Sequence, residues 1–500
     1  MRHPFLSIAA AALVAAPLLI ASPAPAQAAG LDWQPCPDDA ALDCATLSVP
    51  LNWAEPDGER IELSLVRREG SSKAGDKLGT LVYGPGGPGG SGVADLKSDP
   101  IFQDPVYQHY DVVSYDSRGI GESSPIRCET DNFVRDWPTT RREFRRQLWK
   151  NRAYMADCRK RTGPVYDHVD TRSDVRDLDT IRAALGEDKL NYYGVSYGTL
   201  RGQQYAEMFP ERVGRLILDS TMDHSIDNAW DFMRTETGLR EEMFGIFVER
   251  CAERQECALH GRDIEALTDR LYERAERGEL TDPEEPGRKL DEIGLALSME
   301  NLVLGRQWPK LADHLLALEQ QADRQLRTAS VQEVGNDPSK PIWCNDWNYR
   351  VHTFAEAEYL TRRLAKEAPN VRFSSYDYWA VACLGWPRKP VNQPHELELS
   401  EEVPPILIAN ARFDPATVYP WAQAVAEQSG MPLLTYDGGG HGMYFVDSCS
   451  REYMHEYLLT GKTPPDGTHC PAQEGPATRS AEPALPMPPS LTEGFASAMR

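Results

Sequence analysis

The chain has 500 residues, of which 41% are hydrophobic and 26% charged, and this composition excludes a collagen, a long coiled coil and a wholly disordered chain. Its 53 lysines and arginines against 76 aspartates and glutamates give a formal net charge of −23. A chain this acidic repels a phosphate backbone, so we expect no nucleic-acid partner.

Residues 1–28 have the three-part pattern of a secretory signal peptide. A basic start at Arg2 is followed by an apolar stretch over 6–20 and by the small-residue triplet Ala26-Gln27-Ala28. The apolar stretch is shorter than the ~20 residues that a membrane span needs, and Pro17 interrupts it. We therefore expect cleavage after Ala28, a secreted, extracellular protein, and no membrane attachment of the mature chain.

The ten cysteines all follow the predicted cleavage site, and an even number in an exported chain is typical of disulfides. The simplest pairing joins neighbours along the chain, although sequence alone does not choose between this connectivity and others. Its pairs are Cys36–Cys44, Cys128–Cys158, Cys251–Cys257, Cys344–Cys383 and Cys449–Cys470. A zinc site is disfavoured, because there is no C-x2-C pair with a matching histidine pair.

Strand and helix patterns alternate over the first half of the chain. Strands are predicted at 45–51, 61–66, 80–83, 110–115, 190–193 and 213–218, and helices at 175–185 and 199–209. This alternation predicts an α/β fold with a mostly parallel sheet and helices on both faces.

After Asp219 the spacing of apolar residues becomes mostly helical, and strands are predicted again at 405–409 and 432–436. The predicted organisation is a signal peptide at 1–28, a first core part at 29–221, a helical cap insertion at 222–400, a second core part with a cysteine-bounded module at 401–470, and a Pro/Ala-rich, irregular tail at 471–500.

A nucleophile motif stands between a predicted strand and a predicted helix. Gly194-Val195-Ser196-Tyr197-Gly198 fits G-x-S-x-G, in which a sharp turn projects the serine hydroxyl above the sheet. A serine hydroxyl needs a base, and in this context the chain order is serine, acid, histidine.

His441 and Asp414 satisfy that order. His441 lies in a Gly-Gly-Gly-His-Gly segment just past a predicted strand, and Asp414 follows the strand at 405–409. For Asp414 the alternative is a turn residue before Pro415. We predict that Ser196 attacks a carbonyl carbon, that His441 moves its proton to the leaving group, and that Asp414 orients His441.

Two backbone amides are needed to stabilise the oxyanion. One is predicted at Tyr197, and the other at Gly86 or Gly87, because Pro85 and Pro88 have no N–H. A phosphate-binding loop is disfavoured, since the glycine run lacks the Lys-Ser/Thr ending. No metal or organic cofactor is implied, because the three side chains supply both nucleophile and base.

Several longer motifs carry a resemblance to a known family. They are the run from Gly84 to Gly92, the segment from Tyr193 to Thr199, the triplet Gly440-His441-Gly442, and the ending from Ser448-Cys449 to His469-Cys470. Over nearly the whole mature chain the sequence resembles the secreted bacterial tripeptidyl aminopeptidases, which are α/β-hydrolase serine exopeptidases related to proline iminopeptidase.

The resemblance implies an α/β-hydrolase fold with a helical cap, and release of short peptides, typically tripeptides, from free N-termini of peptides or proteins. Pro85 stands where proline iminopeptidases have histidine, which favours the tripeptidyl branch. A substrate ammonium group needs an anion, and Asp346, between Trp343 and Trp347, is predicted for this role. A surface or helix-capping aspartate is the alternative.

Two other functions stay open on the sequence alone. One is a secreted carboxylesterase that uses the same three residues, and the other is a non-catalytic binding protein on a hydrolase scaffold. The sequence does not specify the residue preferred at the cleavage site or the oligomeric state.

Overall fold

The computed structural model describes residues 30–128, 137–285, 287–321, 339–472 and 485–491. The predicted signal peptide and most of the predicted tail therefore lie outside the described residues. Over the ranges described, no helix combines the length and the apolar character that crossing a bilayer requires.

In chain order the strands are β1 Gln34–Pro35, β2 Asp43–Pro50, β3 Arg60–Arg68, β4 Gly79–Gly84, β5 Tyr110–Tyr115, β6 Leu190–Val195, β7 Val213–Asp219, β8 Leu280–Thr281, β9 Lys289–Leu290, β10 Leu407–Phe413, β11 Leu433–Gly439 and β12 His469–Cys470. Within the described ranges, ten of these strands form one sheet in the order β1-β2-β3-β5-β4-β6-β7-β10-β11-β12, and β8 and β9 form a separate antiparallel pair. Pairing is antiparallel from β1 to β5 and parallel from β5 to β12.

The helices surround this sheet and fill the segment between β7 and β10. In chain order they are α1 Gly92–Ser98, α2 Asp104–Tyr107, α3 Arg141–Thr162, α4 Thr171–Ala184, α5 Gly198–Met208, α6 Ala229–Glu253, α7 Ile264–Glu276, α8 Glu292–Leu304, α9 Trp308–Glu319, α10 Ser339–Asp346, α11 Phe354–Glu367, α12 Trp379–Ala382, α13 Tyr419–Ser429, α14 Met443–Val446 and α15 Ser448–Thr460.

The central parallel strands β4 to β7 are buried on both faces, as a parallel sheet with helices on each side must be, whereas the antiparallel strand β3 has exposed positions. Adjacent residues of one strand belong to different hydrophobic clusters: Val82 and Tyr192 pack on one face, and Tyr83 and Tyr193 on the other. Successive side chains of a strand point to opposite faces, so each central strand needs an unbroken apolar run. The predicted α/β fold with a mostly parallel sheet is confirmed.

The structure differs locally from the sequence analysis at one strand and one helix. The strand expected at 405–409 runs from Leu407 to Phe413, because its pairing with β11 continues through Phe413. The long helix α3 was not predicted, since its apolar positions are sparse. Its N-terminus nevertheless has a capping box, in which Thr140 and Glu143 satisfy each other's backbone amides, and this signal was available in the sequence.

The five predicted cysteine pairs are confirmed as disulfides. Each one closes a local segment, with sequence separations from 6 to 39 residues. They therefore stabilise the edges of the fold and the helical segment rather than join distant parts of the chain.

Candidate active site

Ser196 lies at the turn between β6 and α5 with a φ of +57°. Its amide donates to the carbonyl of Asp219 at 2.9 Å, which holds the turn against the end of β7. The turn is tight, because a Cβ on Gly198 would lie 2.2 Å from the carbonyl oxygen of Gly84 and one on Gly194 would lie 2.6 Å from that of Gly198. Both flanking glycines are therefore required by close packing of the backbone.

Asp414 and His441 are in direct contact at the ends of neighbouring strands. Nδ1 of His441 donates to Oδ1 of Asp414 at 2.9 Å and to Oδ2 at 3.0 Å. The carboxylate also accepts from the amides of Ala416 and Thr417, each at 2.9 Å, and from the Thr417 hydroxyl at 3.0 Å. These bonds hold a fully buried carboxylate in one orientation toward the imidazole.

The pKa of His441 is raised above its ordinary value. Burial disfavours the imidazolium, but the charge of Asp414 and the hydrogen bond to it outweigh burial, with a further contribution from Asp219. The surroundings of His441 therefore favour its protonated imidazole.

The end of β7 positions the histidine loop. Asp219 accepts from the amides of Met443 and Tyr444 at 2.7 and 2.9 Å, and Ser220 Oγ accepts from the Gly442 amide at 2.8 Å. Burial raises the pKa of Asp219 to about 6. This positioning role was not predicted from the sequence, where the available signal was an aspartate at the end of a predicted apolar strand.

Ser196 and His441 line one cavity of about 50 Å³. Its remaining walls come from four parts of the chain: the glycine loop at 84–92, the helical segment at 222–400, the turn and helix that follow β10, and the C-terminal segment at 485–491. The lining residues are Gly87, Met222, Phe232, Trp343, Tyr376, Trp379, Ala416, Thr417, Trp421, Ser490 and Leu491. Aromatic rings dominate this lining, and only His441 in it is titratable near neutral pH.

The predicted oxyanion donors lie beside Ser196. Gly87 lines the cavity, and a Cβ on Gly86 would lie 3.0 Å from Cβ and 3.4 Å from Oγ of Ser196. Tyr197 directly follows Ser196, at the start of α5, where backbone N–H groups are available to an anion. Their assignment as donors stays a prediction.

Part of the predicted irregular tail packs into the site. In the segment 485–491, the Ser490 amide donates to Oδ1 of Asp95 at 2.8 Å, and its hydroxyl donates to Oδ2. The Leu485 amide donates to the Phe445 carbonyl at 2.9 Å. Leu491 is buried and lies against Gly86 and Gly442. The sequence offered only isolated leucines among prolines as a signal for this contact.

Asp346 is fully buried but is not among the described residues that line the cavity. Its oxygens accept from the Thr171 amide and hydroxyl at 2.9 and 2.6 Å, from the Tyr197 hydroxyl at 2.6 Å, and from Asn392 at 3.0 Å. Burial, together with the charge of Asp170, raises its pKa to about 7. Asp346 therefore holds the side chain of Tyr197, the residue after Ser196, and its contact with a substrate ammonium stays a prediction.

The fold and this site define the chain as an α/β hydrolase. A family model described as alpha/beta hydrolase fold matches residues 79–289, and one described as TAP-like protein matches residues 369–470. The serine protease Hip1 of Mycobacterium tuberculosis is 32% identical over 483 residues, covering 88% of this chain and 91% of that protein.

Two other relatives cover similar lengths. The tripeptidyl aminopeptidase of Streptomyces lividans is 29% identical over 468 residues, covering 87% of this chain and 85% of the relative. Carboxylesterase B of M. tuberculosis is 27% identical over 460 residues, covering 85% of this chain and 86% of that protein. The chain belongs to the tripeptidyl aminopeptidase-like family of α/β-hydrolase serine peptidases, which confirms the resemblance drawn from its motifs.

Proposed function

We propose that the protein is an exported serine exopeptidase that releases short peptides, tripeptides above all, from free N-termini. The observation that carries the chemistry is the shared cavity of Ser196 and His441, with Asp414 bonded to Nδ1 of the histidine. This bond leaves Nε2 as the nitrogen that can take the serine proton. Membership of a serine peptidase family supports peptides as the substrate class.

In this mechanism Ser196 Oγ attacks the scissile carbonyl carbon while His441 accepts its proton. Backbone amides at Tyr197 and at Gly86 or Gly87 stabilise the oxyanion of the tetrahedral intermediate. His441 then protonates the leaving amine, and the same residues activate a water that hydrolyses the acyl-enzyme. Asp414 stabilises the imidazolium in both half-reactions, in agreement with the raised pKa of His441.

The helical segment is proposed as a cap that closes one end of the substrate site. Behind its aromatic wall lies a group of buried carboxylates. Glu236 lies one turn after Phe232 on α6 and is bonded to Arg240 at 2.9 Å, and Arg240 lies 5.4 Å from the ring of Tyr376. Phe232 and Tyr376 both line the cavity. Asp377 follows Tyr376 and is fully buried.

This group can receive the ammonium group of a substrate. Over the residues described, one oxygen each of Glu236 and Asp377 has no hydrogen-bond partner. Burial raises the pKa of each carboxyl to about 8. An adjacent cation would favour their ionised forms, and the attraction would be strong because water is excluded. We propose Glu236 and Asp377, in addition to the earlier candidate Asp346, as the anions that bind the substrate ammonium and restrict the enzyme to free N-termini.

Export is proposed on two observations. Residues 1–28 have a signal-peptide pattern, and the five disulfides suit an oxidising compartment.

Carboxylesterase activity is the second candidate. It is favoured by the largely uncharged, aromatic lining of the cavity and by the relative named carboxylesterase B. The same three residues would serve, because ester and amide hydrolysis share the acyl-enzyme route.

Product analysis with paired substrates tests the proposal. Ala-Ala-Pro-p-nitroanilide, its N-acetylated form and p-nitrophenyl butyrate are assayed with the wild-type protein and with Ser196→Ala. We expect tripeptide release from the free amine only, labelling of Ser196 by a fluorophosphonate, and loss of both with Ser196→Ala. Ester turnover without amide turnover would favour the second candidate, and absence of labelling would contradict both.

A matched pair of variants tests the ammonium site. Glu236→Gln should raise KM for the free-amine substrate at least about tenfold and leave p-nitrophenyl butyrate turnover nearly unchanged. Glu242→Gln, on the same helix but exposed and paired with Arg412, is the control. Equal effects of Glu236→Gln on both substrates would contradict the assignment.

A further inference from the structure

A second and much larger cavity, of about 920 Å³, lies between α3 and the segments around residues 350 and 385. It shares no lining residue with the Ser196 cavity. The two cavities lie on different faces of α10, because Trp343 lines the first and Asn345 the second, two positions further along the helix. Its volume is within the range of small-molecule binding sites. We call it the Arg350 cavity.

The lining of the Arg350 cavity is basic in a chain whose net charge is −23. The charged side chains that line it are Arg152, Arg159, Lys160, Arg350, Arg388 and Asp167. The single carboxylate, Asp167, is already shared by Arg159, at 2.6 Å, and Arg388. No salt bridge to Arg152, Lys160 or Arg350 is present in the described part of the chain. The cavity therefore keeps a surplus of positive charge.

Buried donors without partners converge on this cavity. Nε and Nη2 of Arg350, Nε1 of Trp386 and the hydroxyl of Tyr166 are buried and have no hydrogen-bond partner over the ranges described. All three residues line the cavity. Buried donors are normally satisfied, so a group of them at one cavity indicates a missing acceptor. Nε and Nη2 form one edge of the guanidinium, whose two parallel N–H bonds match the oxygens of a carboxylate or a phosphate.

We propose that the Arg350 cavity binds an organic oxyanion, a carboxylate or a phosphate monoester carried on an aromatic or apolar body. The Arg350 edge would hold two oxygens, with Trp386 Nε1 and the Tyr166 hydroxyl as further donors. The rings of Tyr166 and Trp386, with centroids 6.0 Å apart, together with Leu148 and Met155, supply an apolar wall for the body of the ligand. This site does not depend on the reaction at Ser196.

Isothermal titration of the disulfide-bonded chain tests the proposal. Phenyl phosphate and benzoate are the two ligands, and benzyl alcohol is the neutral control. We expect saturable binding of at least one of the two anions and none of the alcohol. The ratio of their dissociation constants distinguishes a phosphate site from a carboxylate site. Absence of saturable binding of both anions up to 10 mM, on the order of the weakest specific sites, would overturn the proposal.

Two variants locate the binding. Arg350→Gln removes the guanidinium edge of Nε and Nη2, neither of which has a hydrogen-bond partner over the described residues, and it should weaken anion binding at least about tenfold. Trp386→Phe keeps a ring and deletes one donor, and it should weaken binding about threefold or more. Arg362→Gln, an exposed arginine on α11 paired with Glu358, is the charge-matched control. Equal affinities of the wild type and Arg350→Gln would overturn the assignment, whatever the activity at Ser196.

Discussion

Replacing Asp414 by asparagine tests the candidate site most directly. The carboxylate accepts from His441, from the Ala416 and Thr417 amides and from the Thr417 hydroxyl. An asparagine oxygen can keep the two amide bonds, so the loop should stay folded. Its NH₂ group must then face either the Thr417 hydroxyl or His441. Facing His441, it would favour the tautomer with Nδ1 unprotonated, which puts the proton on Nε2 and removes the base.

The expected loss follows from this change of tautomer. We expect kcat to fall about 10⁴-fold, or roughly 5 kcal/mol of barrier, while the free energy of unfolding changes by only about 1–3 kcal/mol. The exposed pair of Asp437 and His469 supplies a control, because Asp437→Asn removes the same kind of contact, at 2.8 Å, between two residues that do not line the cavity. That variant should keep wild-type kcat.

The pH profile separates a charge effect from a folding defect. Catalysis needs the neutral imidazole, so kcat/KM of the wild type should fall as the pH drops through the raised pKa of His441. In Asp414→Asn the charge that raises the pKa of His441 is gone, while burial still lowers that pKa. The acid limb of the residual activity should therefore move to lower pH. A kcat within tenfold of wild type, or an acid limb that does not move, would refute the reasoning.

The remaining predictions concern packing around the site. Leu491→Ala should enlarge the cavity of about 50 Å³ by on the order of 100 Å³ and raise the ratio of p-nitrophenyl hexanoate to acetate turnover about tenfold. Met487→Ala, in the same segment but not lining the cavity, is its control, and an unchanged ratio for Leu491→Ala would contradict the role of this segment. Gly198→Ala places a Cβ 2.2 Å from the Gly84 carbonyl oxygen and should lower the free energy of unfolding by about 3 kcal/mol. Gly245→Ala, with nothing within 4 Å of the added carbon in mid-α6, should instead stabilise by about 0.5–1 kcal/mol in the same denaturant titration.

Local patterns were sufficient for much of the framework. The apolar run at 110–115 predicted β5 with its exact bounds, and the glycines around Ser196 predicted a turn whose close backbone approach requires them. Periodicity and turn chemistry are properties of a few consecutive residues, so they can be recognised without knowing the fold. Ser196, Asp414 and His441 could be selected for the same reason, because each follows a strand of one parallel sheet, and their catalytic roles stay a prediction.

Sequence by itself determined the α/β class and the strands that precede the candidate catalytic residues, and it offered the neighbour pairing of the cysteines as the simplest of several connectivities, which the structure then selected. Tertiary structure alone decided that Asp346 supports Tyr197, that Ser490 binds Asp95 across 395 positions of the chain, and that unpartnered donors meet at Arg350. Such contacts depend on how separate elements pack against each other. No short-range pattern encodes them, because their partners are brought together only when the sheet and its helices assemble.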